Sequence, residues 1–221
     1  MHIVYIMQYA ITRSRIRDQI KALLSTMIQE GALRSAQHLD EVGLSQRLGV
    51  SRTPLREALI ALESDGLVRS IPNKGFVVVD ANRALVREVF PILAALEVQA
   101  LRLSGSELIR SGPALAELND RLAKSVVPAE QYAIDCALHR AFTQYCGNPR
   151  MLALLESHRD LSRLFDGAAV RGMANHAGSC AEHAEIISEI CNANLEQAGA
   201  LLFRHWEKGE QVVIDWLSDR L

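Results

Sequence analysis

The stretch from Gly49 to Leu59 constrains the fold of this 221-residue chain more than any other, because it has the pattern of a tight turn followed by a helix. Gly49 can adopt the backbone conformation of the turn, and Ser51 or Thr53 can accept a hydrogen bond from a backbone N–H group at the helix start. Pro54 would lie in the first helical turn, where its missing N–H group costs nothing. The stretch therefore predicts the turn and second helix of a helix-turn-helix.

Two faces are expected on this helix. Leu55, Leu59 and Leu62 recur at helical spacing and would form an apolar face. Arg52 and Arg56 are four residues apart and would project together from another face. Guanidinium groups bind guanine edges and phosphate oxygens, so the second face suits DNA. The alternative is an ordinary amphipathic helix with two solvated arginines.

The surrounding residues predict a small domain at 13–80 that contains this helix. Its expected elements are a helix over 16–28, a short helix at about 40–48, the helix just described, and strands at 67–71 and 76–79. The hairpin turn would present Lys74 and Gly75 at its tip. Three helices and a two-stranded wing form a winged helix-turn-helix, which reads the major groove. A small helical domain with an incidental hairpin is the alternative.

Charge and cysteine content are compatible with such a domain without identifying it. The first 80 residues hold ten of the 24 Lys and Arg and eight of the 26 Asp and Glu, a net charge of +2, which leaves −4 for the remainder. This asymmetry permits a DNA-binding front half. The four cysteines show neither a C-x-x-C pair nor a disulfide-like spacing, which favours reduced thiols in a cytosolic protein. They are Cys136, Cys146, Cys180 and Cys191.

No segment of the sequence predicts export or membrane insertion. The first ten residues are apolar, but they lack a basic region and are too short for a signal peptide or a membrane span. We interpret residues 1–12 as a loose N-terminal extension. Arg, Glu or Asp interrupts each later apolar run before it reaches about eighteen residues. A cytoplasmic protein is therefore expected.

The remaining residues, 81–221, have only helical periodicity. Turn signals of Gly, Pro and Asn divide them into six predicted helices. These are 82–104, 112–126, 129–146, 149–167, 177–193 and 195–219. The expected fold is mainly α, with an N-terminal winged helix-turn-helix and a C-terminal all-α antiparallel six-helix bundle.

Four residues of the predicted bundle have spacings that suit a metal site. Asp135 and His139 are four residues apart and share a helix face. His183 and His205 lie at similar distances on either side of the turn that begins at Asn192, so their imidazoles can meet across an antiparallel helix pair. Three histidines and one aspartate inside a bundle suit a divalent transition metal. The alternative is that each histidine is a hydrogen-bonded core or surface residue.

The first domain resembles the DNA-binding domain of the GntR family of bacterial transcriptional regulators. The matching sequences are Leu39-Asp40-Glu41-Val42, Leu48 to Leu59, Leu62-Glu63 and Gly66-Leu67-Val68. The resemblance implies that operator DNA is contacted by Ser51, Arg52, Thr53, Arg56 and the wing residue Gly75. We also expect Lys74 to contact DNA, because it lies beside Gly75 at the tip of the predicted hairpin.

The second domain resembles the ligand-sensing domain of the FadR subfamily of GntR regulators over most of residues 84–218. The matching pieces are Asp135-x-x-x-His139, Gly147-Asn148, His183 and His205. The resemblance implies that Asp135, His139, His183 and His205 bind a divalent metal such as Zn or Ni. Six predicted helices rather than seven resemble the VanR-like branch of that subfamily.

One position departs from the resembled pattern. Many members carry an arginine four residues before the glutamate that matches Glu97, and this chain has Leu93 there. Arg163 is our candidate for the cationic contact with an organic-acid effector.

The expected function is a metabolite-responsive repressor that binds a palindromic operator as a homodimer, and not an enzyme. A metalloenzyme is the alternative from another class, because three histidines and an aspartate with an open metal position can activate water. No general base is evident near the four ligands, which argues against catalysis. A third possibility is a purely structural metal with the effector bound elsewhere.

Overall fold

The computed structural model describes residues 4–165 and 176–218. These residues fall into two units, Met1–Ala81 and Asn82–Leu221. The elements of the first unit are α1 (Val4–Gln29), β1 (His38–Leu39), α2 (Glu41–Leu48), α3 (Arg52–Ser64), β2 (Val68–Ile71) and β3 (Gly75–Val78). The described elements of the second unit are α4 (Arg83–Arg110), α5 (Gly112–Lys124), α6 (Pro128–Thr143), α7 (Pro149–Ser162), a 3₁₀ turn (Arg163–Phe165), α8 (His176–Cys191) and α9 (Leu195–Ser218).

The first helix is longer than its apolar pattern predicts. It begins at Val4, so residues 4–12 continue α1 and do not form the loose extension that we expected. Ile20, Leu24 and Ile28 of this helix are buried, and α1 packs against α3. Only the part from about residue 16 onward carries the periodic apolar face, which is why the pattern indicated a later start.

The helix-turn-helix has the predicted turn. The side chain of Asp40 accepts a hydrogen bond from the backbone N–H of Val42 at the start of α2. Gly49, directly after α2, caps the helix in the left-handed conformation, with φ of 64°. Glycine adopts that conformation without a Cβ penalty, so the chain can reverse tightly into α3. Ser51 is the residue before α3, but its side chain makes no capping hydrogen bond. The predicted capping hydrogen bond from the Ser51 side chain is therefore not formed.

The wing contains one strand more than the sequence predicts. β2 and β3 form the expected antiparallel hairpin, with Val68 opposite Val78 and Ile71 opposite Gly75. The short strand β1 pairs with the other edge of β3, which gives the strand order β1-β3-β2. β3 is thereby the central strand, and both of its edges are hydrogen-bonded.

The second unit contains six α-helices among its described residues, as expected. The first, α4, is interrupted by a kink at the predicted turn signal Ser104-Gly105, where Gly105 is non-helical with φ of 52° and ψ of −135°. A second helical stretch, which the sequence did not predict, then continues to Arg110. α6, α7 and α9 all pack against α4. The two last residues of the predicted helix 149–167 lie outside the described residues.

The largest part of the core of the second unit lies between α4, α5, α6, α8 and α9. It is built from aliphatic and aromatic side chains that include Leu101, Leu108, Leu138, Phe142, Ile186, Ile190 and Leu202. No disulfide joins any two of the four cysteines, all of which lie among the described residues. Within residues 4–165 and 176–218, no helix is both long enough and apolar enough to cross a membrane.

Candidate metal centre and DNA-binding surface

The helix α3 has one buried face and one exposed face, as predicted. Leu55, Leu59 and Leu62 are completely buried. Arg52 and Arg56 are exposed on the other side. Together with Thr53 they line a shallow groove that α2 borders with Glu41. The side of α3 that faces solvent therefore carries two guanidinium groups at its N-terminal end, where helices present unpaired N–H groups to anions.

Of the two wing residues predicted to contact DNA, Lys74 lies in the hairpin turn and Gly75 is the first residue of β3. Lys74 is exposed, and its carbonyl oxygen is contacted by Nε2 of His38. Gly75 has φ of +80°, and a Cβ there would come within 3.4 Å of Oε1 of Glu41. Ser51 is also exposed, immediately before α3. Five of the six predicted DNA contacts are thus exposed in the first unit, and the sixth, Gly75, is half-buried at the start of β3.

Three histidines of the second unit converge from three different helices. His139 belongs to α6, His183 to α8 and His205 to α9, and one candidate ligand nitrogen of each lies within 4.8 Å of the others. The Nε2 atoms of His183 and His205 are 3.3 Å apart. Two nitrogens bound to one zinc ion at 2.0–2.1 Å in tetrahedral geometry are about 3.3 Å apart. This pair has the spacing of an edge of such a site.

Asp135 completes the predicted set. It lies one turn before His139 on α6, and its Oδ1 is 3.7 Å from Nε2 of His183. The aspartate is partly exposed, whereas His183 is completely buried. The structure therefore brings the three predicted histidine ligands together and places Asp135 beside His183. Their nitrogen and oxygen donors suit zinc or nickel.

Two carboxylates orient two of the histidines. Nδ1 of His139 is 2.7 Å from Oε2 of Glu97, and Nδ1 of His205 is 2.7 Å from Oε2 of Glu182. A carboxylate accepts a hydrogen bond from a protonated Nδ1, so each contact favours the tautomer whose Nε2 carries a lone pair. Metal-binding histidines commonly have such carboxylate partners. The two carboxylates thus favour the tautomers in which Nε2 of His139 and Nε2 of His205 can bind a metal ion.

Among the described residues of the second unit, Glu97 is the most deeply buried carboxylate. It is completely buried on α4, and it accepts hydrogen bonds from Nε1 of Trp206 at 2.9 Å and from Nη2 of Arg159 at 2.5 Å. Burial alone would raise the pKa of Glu97, but His139 and Arg159 outweigh burial and lower the pKa to about 2. Burial also opposes the charged form of His139, and Glu97 outweighs it and raises the pKa of that imidazole.

The cation beside Glu97 comes from α7. Leu93, where the resembled pattern has an arginine, is completely buried. Arg159 donates to Glu97, and also to Oε1 of Glu156 at 2.7 Å and Oγ1 of Thr143 at 3.2 Å. Its guanidinium thus joins α4, α6 and α7 at the base of the histidine cluster.

A cavity of about 200 Å³ lies beside the histidine cluster. His139, His205 and Asp135 form part of its wall, and Arg163 lies on the same wall. Nη1 of Arg163 is 3.6 Å from Oδ1 of Asp160. A cavity bordered by metal-ligating groups can hold a small molecule next to the ion.

Sequence reasoning did not identify the roles of Glu97, Arg159 and Glu182. Glu97 could have been found, because it is the one charged residue between Val89 and Leu101, and a carboxylate in such an apolar stretch needs a buried partner. Glu182 is adjacent to His183 in the sequence but supports His205 across the helix pair. Nothing in the local pattern around Arg159 distinguishes it from a surface arginine.

Comparison with known families matches both units. Residues 16–78 match the family described as bacterial regulatory proteins, gntR family, and residues 88–208 match the FCD domain family. The second match alone covers more than half of the chain.

The chain is similar to transcriptional regulators, and the similarity extends over most of their length. The chain is 26% identical to the HTH-type transcriptional regulator YdhC of Bacillus subtilis over 188 residues, which is 83% of this chain and 84% of that protein. It is 28% identical to the Nta operon transcriptional regulator of Aminobacter aminovorans over 79% of this chain and 83% of that one. A solved regulator from Rhodococcus has the same fold, with a TM-score of 0.71 at 23% identity over 91% of this chain and 98% of that chain. These relatives are regulators and not enzymes.

Proposed function

We propose that this chain is a homodimeric repressor that leaves its operator when a small molecule enters a metal-containing pocket. The chain belongs to the GntR family of bacterial transcriptional regulators and carries an FCD domain. Its relatives are DNA-binding regulators of the helix-turn-helix type, and the FCD domain senses small-molecule effectors. Repression, a palindromic operator, the dimer, the metal and a cytoplasmic location are parts of this proposal.

The exposed face of α3 supports the assignment of the DNA contacts. Arg52 and Arg56 would bind base edges or phosphates in the major groove, and each base-specific bidentate contact is worth about 1–3 kcal/mol of discrimination. Ser51 and Thr53 would bind the backbone, as would Lys74 and Gly75 of the wing. One small module buries only about 600–1,000 Å² of surface on DNA, so two modules on the half-sites of a palindrome would be needed for specific binding.

The convergence of the histidines beside the cavity carries the proposal of a metal-dependent sensor. His139, His183, His205 and Asp135 would hold a divalent ion, and Glu97 and Glu182 would keep the imidazoles correctly oriented. A bound ion with an open coordination position supplies positive charge for an anionic oxygen of the effector. The cavity wall would hold the rest of that molecule.

Regulation requires that the effector distinguish two states of the dimer. An effector shifts the equilibrium between DNA-competent and DNA-incompetent arrangements only by its difference in affinity for them. A coupling of about 1–3 kcal/mol would change operator affinity by roughly 5- to 150-fold.

Band shifts with DNA from upstream of the protein's own gene test the DNA-binding surface. We expect Arg52→Ala combined with Arg56→Ala to abolish the shifted complex. The control is Arg87→Ala combined with Arg110→Ala, which removes the same charge from exposed positions of the other unit. Equal binding by the Arg52/Arg56 variant and the control would refute the assignment of α3.

Operator release with and without chelation separates a sensory metal from a structural one. For a sensory metal, we expect the folded, chelated protein to keep its operator affinity and to lose its response to effector, and readdition of zinc or nickel should restore the response. Unfolding of the whole FCD domain on chelation, seen as loss of its cooperative thermal transition, would indicate a structural metal.

A further inference from the structure

The cavity beside the histidine cluster has a strongly apolar side. Phe90 lies edge-on to Phe165 at a centroid distance of 6.3 Å and to Trp206 at 5.7 Å. Val212 and Val213 of α9 border the same cavity. Its volume is about 200 Å³, and an apolar cavity of about 150 Å³ is large enough for benzene. The space therefore fits one six-membered ring with a small substituent.

The positive charges of the arginines among the described residues of the cavity wall are largely neutralised by nearby carboxylates. Arg140 is 2.9 Å from Glu156, Arg159 is 2.5 Å from Glu97 and Arg163 is 3.6 Å from Asp160. Each guanidinium group is therefore matched by a carboxylate of its own surroundings. A divalent ion bound by three neutral imidazoles and the carboxylate of Asp135 would retain one positive charge. The charge of the site then suits a ligand with a single negative charge.

A glycine in the middle of α9 enlarges the apolar side. Gly209 borders the cavity within the helix Leu195–Ser218. A Cβ at this position would meet only the ring of Phe90, at 3.9 Å from its Cε1, which is an ordinary van der Waals contact. Alanine would therefore fit, and alanine is the better helix former at an interior position. The helix forgoes that stability and leaves a methyl-sized space beside Phe90.

We infer that the cavity takes a compact monocarboxylate whose body is apolar and about the size of one ring, with Gly209 setting the room for that body beside Phe90. This inference rests on the metal-containing pocket proposed above. The carboxylate would approach the ion held by the histidines, and the ring would lie against Phe90 and Trp206. Di- and tricarboxylates would bring further negative charges to a wall whose described arginines are already paired with carboxylates.

Calorimetric titration of the metal-loaded protein tests the ligand class. The probes are benzoate and cyclohexanecarboxylate, with benzamide as an uncharged isostere and succinate and citrate as polyanions. We expect the two ring monocarboxylates to bind at least tenfold more tightly than the other three. Tighter binding of citrate or succinate, equal binding of benzamide, or no binding of either ring acid at millimolar concentration would overturn the inference.

The variant Gly209→Ala tests the role of the missing side chain. Without ligand it should unfold about 3 °C higher than the unsubstituted protein, because alanine favours the helix. Its metal and operator affinities should be unchanged, while its affinity for cyclohexanecarboxylate should fall at least tenfold. Glu207→Ala, at an exposed position of the same helix, is the control and should retain full affinity. Unchanged ring-acid affinity in Gly209→Ala would refute the role of Gly209.

The same titrations distinguish failure of this inference from failure of the pocket. If the unsubstituted protein binds neither zinc nor nickel, the metal-containing pocket is wrong and the charge argument is refuted with it. If it binds metal tightly and still prefers citrate, the pocket stands and only the ligand class is refuted.

Discussion

Replacement of Arg159 by methionine should strongly destabilise the FCD domain, because this arginine is buried against a buried carboxylate. Arg159 is 8% exposed and Glu97 is completely buried, so Arg159→Met leaves a carboxylate inside the bundle without its guanidinium partner. Removal of one member of a buried ion pair costs about 3–5 kcal/mol. His139 would still contact Glu97, so we expect a loss of about 3 kcal/mol in the free energy of unfolding, at the lower end of that range.

Arg140→Met is the matched control for this change. Arg140 also borders the cavity and also contacts Glu156, but the side chains of both are more than a third exposed, at 39% and 46%. Ion pairs between exposed groups contribute about 0–1 kcal/mol. The control should therefore lose less than a third of the stability that Arg159→Met loses.

Urea unfolding of the full chain at pH 7, followed by circular dichroism, measures both variants. A third variant, Arg159→Met combined with Glu97→Gln, removes the buried charge as well as its partner. Its loss in free energy of unfolding should be about 1–3 kcal/mol smaller than the sum of the losses in Arg159→Met and Glu97→Gln, since residues in contact are coupled. Equal losses for Arg159→Met and Arg140→Met, or simple additivity in the double variant, would refute the account of a buried pair.

Three further predictions concern the core, the acid range and the metal. Leu59→Ala should lower the free energy of unfolding by about 2–5 kcal/mol in urea titrations, because Leu59 is completely buried, whereas Ile60→Ala, at an exposed neighbour, should not. The pKa of Glu97 falls from its ordinary 4.5 to about 2 in the folded protein. Ionised Glu97 should therefore contribute about 3 kcal/mol to the free energy of unfolding above pH 4.5, and this contribution should be lost as the pH falls toward 2. The variant Glu97→Gln should lose this pH dependence. Glu182→Gln should weaken zinc binding about 10- to 100-fold in competition with a chelator, because His205 loses its carboxylate partner, and an unchanged affinity would show that Glu182 does not orient the ligand.

The helix-turn-helix could be predicted because its signals are local. Gly49 marks the turn, and the spacing of Leu55, Leu59 and Leu62 marks the buried face within three helical turns. The strand β1 could not be predicted, because two residues show no periodicity and the strand exists only through its pairing with β3. The turn signal at Gly105 correctly marked a break in helical geometry, but the short helical stretch that follows it as far as Arg110 was not predicted.

In the candidate site, too, the features set by local spacing could be predicted and the contacts between distant residues could not. Asp135 and His139 share a helix face by spacing alone, and the hairpin of α8 and α9 allowed His183 and His205 to be placed opposite each other. The contacts that organise these ligands join residues far apart in the sequence, such as Glu97 with Arg159 and Glu182 with His205. Helical periodicity gives the face on which a residue lies but not the partner that it meets across a bundle.

Metal analysis of the purified protein tests the central claim most directly. Inductively coupled plasma mass spectrometry should find about one divalent transition metal per chain in the unsubstituted protein and in His158→Ala, whose imidazole lies outside the three-histidine cluster. The same measurement should find almost none in His183→Ala, provided that circular dichroism shows the variant to be folded. Equal metal content in His183→Ala and the unsubstituted protein, or no metal in either after reconstitution with zinc or nickel, would contradict the account.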